Sequence, residues 1–236
     1  MLEELKEIVC RQNLRLVDAG LVALTWGNVS GFDSNAKLVV IKPSGVDYGS
    51  MKPQDMVVVD LEGNVVEGGF RPSSDTPTHL EIYKAFGSVK GIAHTHSIEA
   101  ASFAQAMREI PCYGTTHADV FHGVVPCTRQ LTELEVCEAY ERNTGKVIVE
   151  RFKDLDPLEL PGVLAAGHGP FTWGVSVEQA VDHAIALEAM AKMARLTEQV
   201  FAMRTAPFLP VYVGEKHYQR KHGANAYYGQ NKGKEQ

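Results

Sequence analysis

Apolar positions recur along the chain with two different periods, which predict a helix at the start and several short strands after it. Over residues 2–19 the apolar side chains follow helical spacing, and Gly20 can end that helix. Short apolar runs then alternate with turn residues over 21–30, 37–45 and 55–69. This second pattern is typical of strands.

Helices and strands continue to alternate through the rest of the chain. Helices are predicted over residues 73–87, 100–109, 131–145 and 176–204. Strands are predicted over residues 89–97, 146–152 and 162–174. Pro77 lies near the first position of one helix, and the Thr132-x-x-Glu135 capping box begins another, which Gly145 is expected to end.

Tight turns between several strands indicate how the sheet is connected. Glu62-Gly63-Asn64, for example, predicts a hairpin loop, and such loops suit antiparallel neighbours. We therefore predict an α/β fold, a single domain over residues 1–230 with a central, mainly antiparallel β-sheet covered by α-helices. Residues 216–236 are polar and aromatic without an apolar face. They are either disordered or ordered by something they touch, and residues 231–236 are expected to form a flexible tail.

Composition and charge narrow the classes of function. The chain has 236 residues with 44% hydrophobic content, a formal charge of −6 and a pI of about 5.8. With no basic stripe, nucleic acid and anionic membranes are poor partners. The first residues lack the order of a signal peptide, and no apolar run is long enough to span a bilayer. Four cysteines without a CxxC motif fit a reducing cytoplasm, where we expect the protein.

Two histidines separated by one threonine follow an apolar run. If residues 91–97 form a strand, His94 and His96 project from the same face with Cβ atoms about 6.5–7 Å apart. Two imidazoles at that spacing can hold one metal ion with bonds near 2 Å. The alternative is one hydrogen-bonded core histidine beside one exposed histidine, and the pair alone does not decide between them.

Two further residues would complete a metal site. His168 lies between two glycines at the end of an apolar strand, and Asp75 lies at a helix start. Three imidazoles and a carboxylate suit Zn²⁺ or a similar divalent ion, and three firm protein ligands with open positions are typical of a catalytic site. Each residue also has an ordinary alternative. His168 could hydrogen-bond within a turn, and Asp75 could cap the helix, which is the commoner role for such an aspartate.

Three short loops rich in Gly, Ser and Asn indicate a second kind of chemistry. They are Thr25–Ser30, Lys42–Gly45 and Pro72–Asp75. Free backbone N–H groups and hydroxyls at strand and helix ends are what a phosphate monoester needs, and a helix N-terminus adds a favourable dipole. For any one loop alone, ordinary turn chemistry is the alternative.

Together these segments resemble the class II aldolase/adducin family over about residues 1–230, and most closely its sugar-phosphate epimerases. The matching motifs are "TWGNVS", "VIKPSGVDY", "DMVVVD", "RPSSDTPTH", "HTHS", "GTTHADVFHG", "PCTR", "GHGPFTWG" and "KHYQRKHGANAYYGQ". The resemblance implies an α/β fold with a central antiparallel sheet and one divalent metal, Zn²⁺ or another such as Mn²⁺ or Co²⁺. It also implies a four-fold symmetric homotetramer with active sites between neighbouring subunits.

The resemblance assigns roles to individual residues. It implies that the metal is bound by His94, His96 and His168, with Asp75 beside them. Positions that match phosphate-binding residues are Gly27, Asn28, Ser44, Gly45, Ser73 and Ser74, with Lys42 close by. An acid/base pair is implied at Asp119 and Tyr228. Tail residues that reach a neighbouring subunit's site are implied at His217 and Arg220.

The implied activity is inversion at C4 of a ribulose phosphate, by retro-aldol cleavage and re-formation of the C3–C4 bond. The C4 proton is not acidic because no carbonyl is adjacent, so breaking the C–C bond avoids an unfavourable carbanion, and a divalent metal would act as a Lewis acid. Aldolases of the family usually carry Glu at the position of Asp75, so the shorter side chain favours an epimerase. The "THAD" and "AYYGQ" segments favour an epimerase as well.

Three rival functions remain open at this point. The chain could be a class II aldolase that cleaves a sugar 1-phosphate, a dehydratase of the same family, or a non-enzymatic module like the adducin head. The last predicts missing metal ligands, yet all three histidines are present. Val120 and His122 lie where the family is expected to carry aromatic residues, which bears only on fine substrate tuning.

Overall fold

A single antiparallel sheet organises the computed structural model, which describes residues 2–201, 207–224 and 226. Within these residues the strands are β1 Asn28–Asp33, β2 Leu38–Ile41, β3 Val57–Asp60, β4 Val65–Glu67, β5 Gly91–His94, β6 Gly162–Ala165 and β7 Gly169–Gly174. The α-helices are α1 Glu3–Asp18, α2 Thr76–Ala85, α3 Ile98–Gln105, α4 Thr115–Ala118, α5 Glu133–Arg151, α6 Val177–Phe201 and α7 Val211–His222. A 3₁₀ turn spans Pro53–Asp55.

The order of the strands decides which residues meet at the candidate site. The sheet runs β4-β3-β2-β1-β5-β7-β6, and every neighbouring pair is antiparallel. In this register His94 of β5 lies opposite Asn28 of β1 on one side and Phe171 of β7 on the other. The predicted fold, an antiparallel sheet covered by helices, is confirmed.

Helices cover both faces of the sheet, so the central strands are buried on both sides. Side chains alternate along a strand: Val57 and Val59 pack into the core beneath α2, α3 and α5, whereas Val58 packs toward α1. The long helix α6 contributes to both cores, with Leu187 on one side and Val181 on the other. Continuous apolar runs in the sequence therefore belong to strands with two covered faces.

Several predicted elements are confirmed. The first helix, the α2 and α3 helices and the Glu62–Asn64 hairpin loop are present, and the Asp60 carboxylate accepts backbone N–H bonds from Glu62 and Asn64 in that loop. The predicted capping box is also present, because the Thr132 hydroxyl and the Glu135 carboxylate each accept a bond from the other's backbone N–H.

The predicted strand over 146–152 is wrong, because α5 continues through Gly145 to Arg151. Gly145 does not end the helix but allows α2 and α5 to touch: a Cβ there would lie 2.7 Å from the Glu81 Cβ and 2.9 Å from the Thr78 carbonyl oxygen. Ile148 then falls on the buried face of the helix. The β-branched residues that suggested a strand thus pack as one side of a helix.

Three other predicted strands have different bounds. The run over 21–30 becomes a strand only from Asn28, and the run over 89–97 is a strand only over Gly91–His94. His96 therefore lies beyond the end of β5 rather than on it. The run over 162–174 folds as the hairpin β6–β7, and His168 lies in its turn.

The carboxyl-terminal part of the chain is partly helical. The polar segment predicted to lack an apolar face forms most of α7, which buries only Tyr218. Residues 202–206, into which α6 was predicted to continue, and the predicted tail at 231–236 lie outside the described residues. Across the part of the chain that is described, every helix is too short or too polar to traverse a lipid bilayer.

Candidate active site

Three histidine rings converge where β5 ends beside the β6–β7 turn. The Nε2 atom of His96 lies 3.1 Å from the Nε2 atom of His94 and 3.1 Å from that of His168. One ligand atom from each ring falls within 4.8 Å of the others. The pattern predicts His94 and His96 on one strand, whereas in the structure His96 joins the cluster from the segment just after β5.

The protonation of these rings suits a metal ligand. The His94 Nδ1 atom lies 2.9 Å from the Pro170 carbonyl oxygen. Because that oxygen only accepts, Nδ1 carries the proton and Nε2 presents its lone pair to the cluster. Burial, followed by the neighbouring His94, lowers the pKa of His168 to about 3 and also lowers the pKa of His96. Both rings are therefore neutral at neutral pH, as ligation requires.

The donor set fits a divalent cation. Imidazole nitrogens bind Zn²⁺ at about 2.0–2.1 Å. With Nε2 atoms 3.1 Å from their neighbours, all three rings can reach one ion at that distance. The buried Nδ1 atom of His168 has no hydrogen-bond partner among the described residues. It is the ring nitrogen opposite Nε2, which is the atom that faces the cluster, so the unpaired Nδ1 atom calls for a polar partner outside the metal position.

Phe171 fixes the orientation of the first histidine. Its ring stacks on His94 with centroids 4.1 Å apart and planes inclined by 16°, and it meets His168 edge-on at 5.9 Å. Phe171 is fully buried and pairs with His94 across β5 and β7. The pairing of β5 with β7 therefore places Phe171 against the face of the His94 ring, and the Pro170 carbonyl oxygen fixes the Nδ1 atom of the same ring.

Asp75 is not the helix cap that its position suggested as the commoner alternative. It occupies the N-cap position of α2, yet its side chain makes no capping bond. Instead its Oδ2 atom accepts a bond from the Asn28 Nδ2 atom at 2.7 Å and lies 3.9 Å from the His94 Nε2 atom. Burial alone would raise the pKa of this carboxyl, but His94, other histidines and Asn28 outweigh burial and lower it. Asp75 is thus an anion beside the histidines.

The candidate phosphate-binding residues share one cavity with this cluster. The cavity has a volume of about 370 Å³. Its lining includes Gly27, Asn28, Lys42, Ser44, Gly45, Ser73, Ser74, Asp75, His96 and His168. Segments up to about 140 positions apart in sequence therefore line one cavity.

Backbone geometry explains the glycines in these loops. Gly27 and Gly45 both have positive φ, +76° and +68°, which glycine adopts without the penalty of a side chain. A Cβ at Gly27 would lie 2.9 Å from the His94 carbonyl oxygen, so the loop can pass close to β5 only as glycine. Among the described residues, no heavy atom lies within 4 Å of a Cβ built at Gly45, so the space beside that glycine is open.

Lys42 is the buried cation of the cavity. Its Nζ atom donates to the carbonyl oxygens of Thr25 at 3.3 Å and Pro43 at 3.4 Å, and it lies 4.7 Å from the Tyr48 ring centroid. Burial lowers the pKa of its ammonium group. A positively charged group at the wall of a cavity favours the binding of an anion.

A second cluster forms away from this cavity, between α4 and α7. The Asp119 carboxylate accepts bonds from the Arg220 guanidinium at 2.6–3.1 Å, lies 3.1 Å from the His217 Nδ1 atom and lies 3.5 Å from the Lys221 ammonium. Burial acts to raise the pKa of Asp119, but these partners outweigh it and lower that pKa. None of these residues lines the cavity with the histidines.

The predicted acid/base pair is therefore only partly placed. Asp119, His217 and Arg220 lie together in one chain, but not with the metal cavity of that chain. Tyr228 lies outside the described residues. The low pKa of Asp119 is the opposite of the shift toward neutrality that an acid/base role was expected to need.

Two cavity residues were missed by the sequence argument. Tyr140 and Glu141 line the cavity with the histidines, although they belong to α5. They reach it because α5 is interrupted at Ala139, where φ is −167° and ψ is 79°. Neither a proline nor a glycine marks this break, so the sequence offered no signal for it.

Comparison with known proteins places the chain in a family. The family model for the class II aldolase and adducin N-terminal domain matches residues 7–195, so the chain belongs to this family. It is 51% identical over 231 residues to L-ribulose-5-phosphate 4-epimerase UlaF of Salmonella paratyphi C (strain RKS4594), covering 97% of this chain and 100% of that protein. The protein of the same name from Salmonella choleraesuis (strain SC-B67) matches equally.

Solved structures are similar in fold. A structure of L-fuculose 1-phosphate aldolase superposes with a TM-score of 0.76 at 27% identity, covering 92% of this chain and 95% of that one. The structure of YgbL from Klebsiella pneumoniae, described as a putative aldolase/epimerase/decarboxylase, superposes with a TM-score of 0.72 at 22% identity. It covers 92% of this chain and 99% of that one.

Proposed function

We propose that this chain is an epimerase that interconverts L-ribulose 5-phosphate and D-xylulose 5-phosphate by inverting C4. The observation that carries the proposal is one cavity with phosphate-type loops and three convergent histidines. Half of all positions are identical to those of relatives that carry the epimerase name. A sugar phosphate suits such a cavity, because its phosphate can bind the loops while its sugar oxygens lie near the histidines.

A divalent metal would be held by His94, His96 and His168, with the Asp75 carboxylate close by. Zn²⁺ suits these ligands best, and Mn²⁺ or Co²⁺ could replace it. When bound, the metal supplies Lewis-acid stabilisation of negative charge on substrate oxygens near the bond that breaks. Asp75 adds a negative charge that favours cation binding.

The loop residues hold the phosphate end of the substrate. Backbone N–H groups at Gly27 and Gly45, the hydroxyls of Ser44, Ser73 and Ser74, and the Lys42 ammonium would contact phosphate oxygens. This grip has a mechanistic purpose. After the C3–C4 bond breaks, the aldehyde fragment must turn over and be attacked on its other face, and a tethered phosphate keeps it from leaving.

The acid/base groups are proposed to come from another subunit. The C4 hydroxyl points to opposite sides in the two epimers, so two proton-transfer groups, Asp119 and Tyr228, would flank the fragment. Asp119 lies away from the cavity of its own chain. It can therefore serve a cavity only if a neighbouring copy presents it, as in the homotetramer with shared sites that we propose.

Product analysis tests the proposed reaction. Metal-loaded protein incubated with L-ribulose 5-phosphate should yield D-xylulose 5-phosphate, and the reverse reaction should run from the product. The second candidate is a class II aldolase, favoured by the 27% identity to L-fuculose 1-phosphate aldolase. Net release of an aldehyde, with no epimer formed, would support the aldolase instead.

Mixed oligomers test the shared site. His96→Ala removes a metal ligand, and a chain ending at Ala224 removes Tyr228 while keeping α7. Refolded together, the two inactive variants should regain part of the activity, because one interface then contains both intact halves. No recovery in mixed oligomers that demonstrably form would mean that each site belongs to one chain.

The cytoplasm is the proposed location. All four cysteines, Cys10, Cys112, Cys127 and Cys137, are free thiols in the structure. Free thiols of this kind suit a reducing compartment, where glutathione prevents disulfide formation. Fractionation of cells into cytoplasm and envelope, followed by the epimerase assay, would test this.

A further inference from the structure

The interruption in α5 is held in place by side chains. Side chains bond backbone carbonyl oxygens on both sides of the break. The Asn143 Nδ2 atom donates to the Glu135 oxygen at 2.7 Å, and the Thr144 hydroxyl donates to the Tyr140 oxygen at 2.9 Å. The first of these bonds spans the break and joins its two sides, so the break is a fixed feature of the fold.

Helix α2 fixes the segment after the break from the other side. The Thr78 hydroxyl donates to the Glu141 carbonyl oxygen at 2.6 Å, and Arg142 pairs with Glu81 at 3.0 Å. The absence of a side chain at Gly145 brings the two helices into contact. Since α2 begins directly after Asp75, the same contact sets the position of α5 relative to the metal cavity.

Tyr140 lies next to the break in α5, where the helix borders the cavity. Its ring centroid lies 6.1 Å from that of His168. Tyr140 and His168 also line a second cavity of about 260 Å³, so they form the wall shared by the two spaces. The phenol hydroxyl of Tyr140 can donate a hydrogen bond.

The surroundings of Tyr140 suit contact with a ligand better than packing. It is 39% exposed, and its hydroxyl has no hydrogen-bond partner among the described residues. An aromatic ring with a polar tip, held at the rim of a cavity, offers both an apolar face and a donor.

We propose that Tyr140 is a substrate-contacting residue that packs its ring against the sugar chain beside His168 and donates its hydroxyl to a sugar oxygen. This rests on the proposed function, because it assumes that a sugar phosphate occupies the cavity. It adds a residue that selects for the carbon chain, beyond the loops that hold the phosphate. The role differs from that of a residue that only positions His168, which would act on metal affinity.

The test compares Tyr140→Phe and Tyr140→Leu with Leu134→Ala. Leu134 lies in the same helix, before the break, is 65% exposed and lines neither cavity, so its variant controls for changes to α5. The measurements are kcat and KM for L-ribulose 5-phosphate, the inhibition constant of inorganic phosphate, and Zn²⁺ affinity by calorimetry.

Tyr140→Phe should raise KM about three- to tenfold, the value of one hydrogen bond, and Tyr140→Leu should raise it further. Inorganic phosphate inhibition and Zn²⁺ affinity should stay at wild-type values in both, and Leu134→Ala should change none of them. Wild-type KM in folded Tyr140→Leu overturns the proposal. A parallel loss of Zn²⁺ affinity in both Tyr140 variants also overturns it, because the residue would then act through His168. Failure of the proposed function is seen separately, in the wild-type enzyme, as an absence of epimerisation.

Discussion

The histidine cavity and the Asp119 cluster differ in whether their polar groups have partners. In the cavity, the Asn28 Oδ1 and His168 Nδ1 atoms are buried without partners among the described residues, and two of the three histidines have lowered pKa values. In the cluster, the Asp119 carboxylate is saturated by cations from α7. The first region is prepared for a ligand, whereas the second is already paired.

This difference changes what a mutation in each region measures. Leaving buried polar atoms unpaired costs stability, which a bound ligand can offset, so changes in the cavity should act mainly on binding. The pairs around Asp119 hold α7 on the body of the chain. Changes there combine loss of a chemical group with loosening of a helix, and controls must separate the two.

Removing the metal should have the largest effect. Chelation should lower kcat/KM about a thousandfold, since a Lewis acid is worth several kcal/mol and about 1.4 kcal/mol corresponds to each tenfold. Adding Zn²⁺, Mn²⁺ or Co²⁺ should restore activity. Metal content by mass spectrometry should fall in step with activity, and about one ion per chain is expected. Full turnover in rigorously metal-free protein would falsify the metal assignment.

Asp119→Asn should have the next largest effect, at least a hundredfold on epimerisation in both directions. Because only one face of the fragment loses its proton-transfer group, cleavage of one pure epimer to glycolaldehyde phosphate should survive. The assay follows both products from each epimer. Lys221→Gln is the control for loosening of α7, because it removes one of the pairs to Asp119 without removing the carboxylate, and Lys221 has no proposed role at the site. Equal losses in the two variants would assign the effect to helix docking.

Asp75→Asn should lower metal affinity about 10- to 100-fold, which is the usual effect of removing a group that contacts the metal ligands without binding the metal itself. Thr132→Ala is the matched control, since Thr132 is a real N-cap with a side-chain bond. That control should cost about 1 kcal/mol of stability and leave metal affinity unchanged. If Asp75→Asn behaves like Thr132→Ala in both measurements, Asp75 has only a structural role.

The smallest predicted effect is the pH dependence at His122. Its ring stacks on Tyr218 at 4.4 Å, and its nitrogens contact Glu159 at 3.1 Å and Glu215 at 2.6 Å. Burial acts to lower its pKa, but the two carboxylates outweigh it and raise the pKa. The protonated ring therefore stabilises the docking of α7.

That stabilisation is fully present below the unfolded pKa of about 6.5 and is lost as pH rises through the higher folded pKa. It is worth less than about 1 kcal/mol, because solvent screens the pairs. His122→Phe keeps the ring stack and removes the charge. Its melting temperature should fall below the wild-type value at about pH 6 and approach it at about pH 9. A constant gap would exclude His122 as the titrating group.

The sequence predicted which residues come together better than it predicted the element boundaries. The candidate phosphate-binding residues, Asp75, His96 and His168 line one cavity, and His94 at the end of β5 lies against His96 and His168. The strand expected at 146–152 is a helix, because its β-branched residues also fit a helix face once Gly145 permits contact with α2.

Local sequence patterns do not predict features that depend on tertiary contacts. The break at Ala139 is stabilised by Asn143, Thr144 and Thr78, residues that look ordinary in a helical sequence. By its position alone the Asp75 carboxylate could equally have capped α2 or joined the histidines, and its bond from Asn28 of β1 accompanies the second arrangement. In both cases a partner distant in sequence decides what a side chain does.

The histidines that converge on one point also have a consequence for folding. His96 and His168 are 72 residues apart in sequence and meet only when β5 pairs with β7. An unfolded chain cannot present the three rings together, so the ion binds almost exclusively to the folded state. At a free concentration 100 times its dissociation constant it would add about 2.7 kcal/mol to the free energy of unfolding. Metal supply would then govern how long each copy of the protein survives proteolysis, in addition to how fast it turns over substrate.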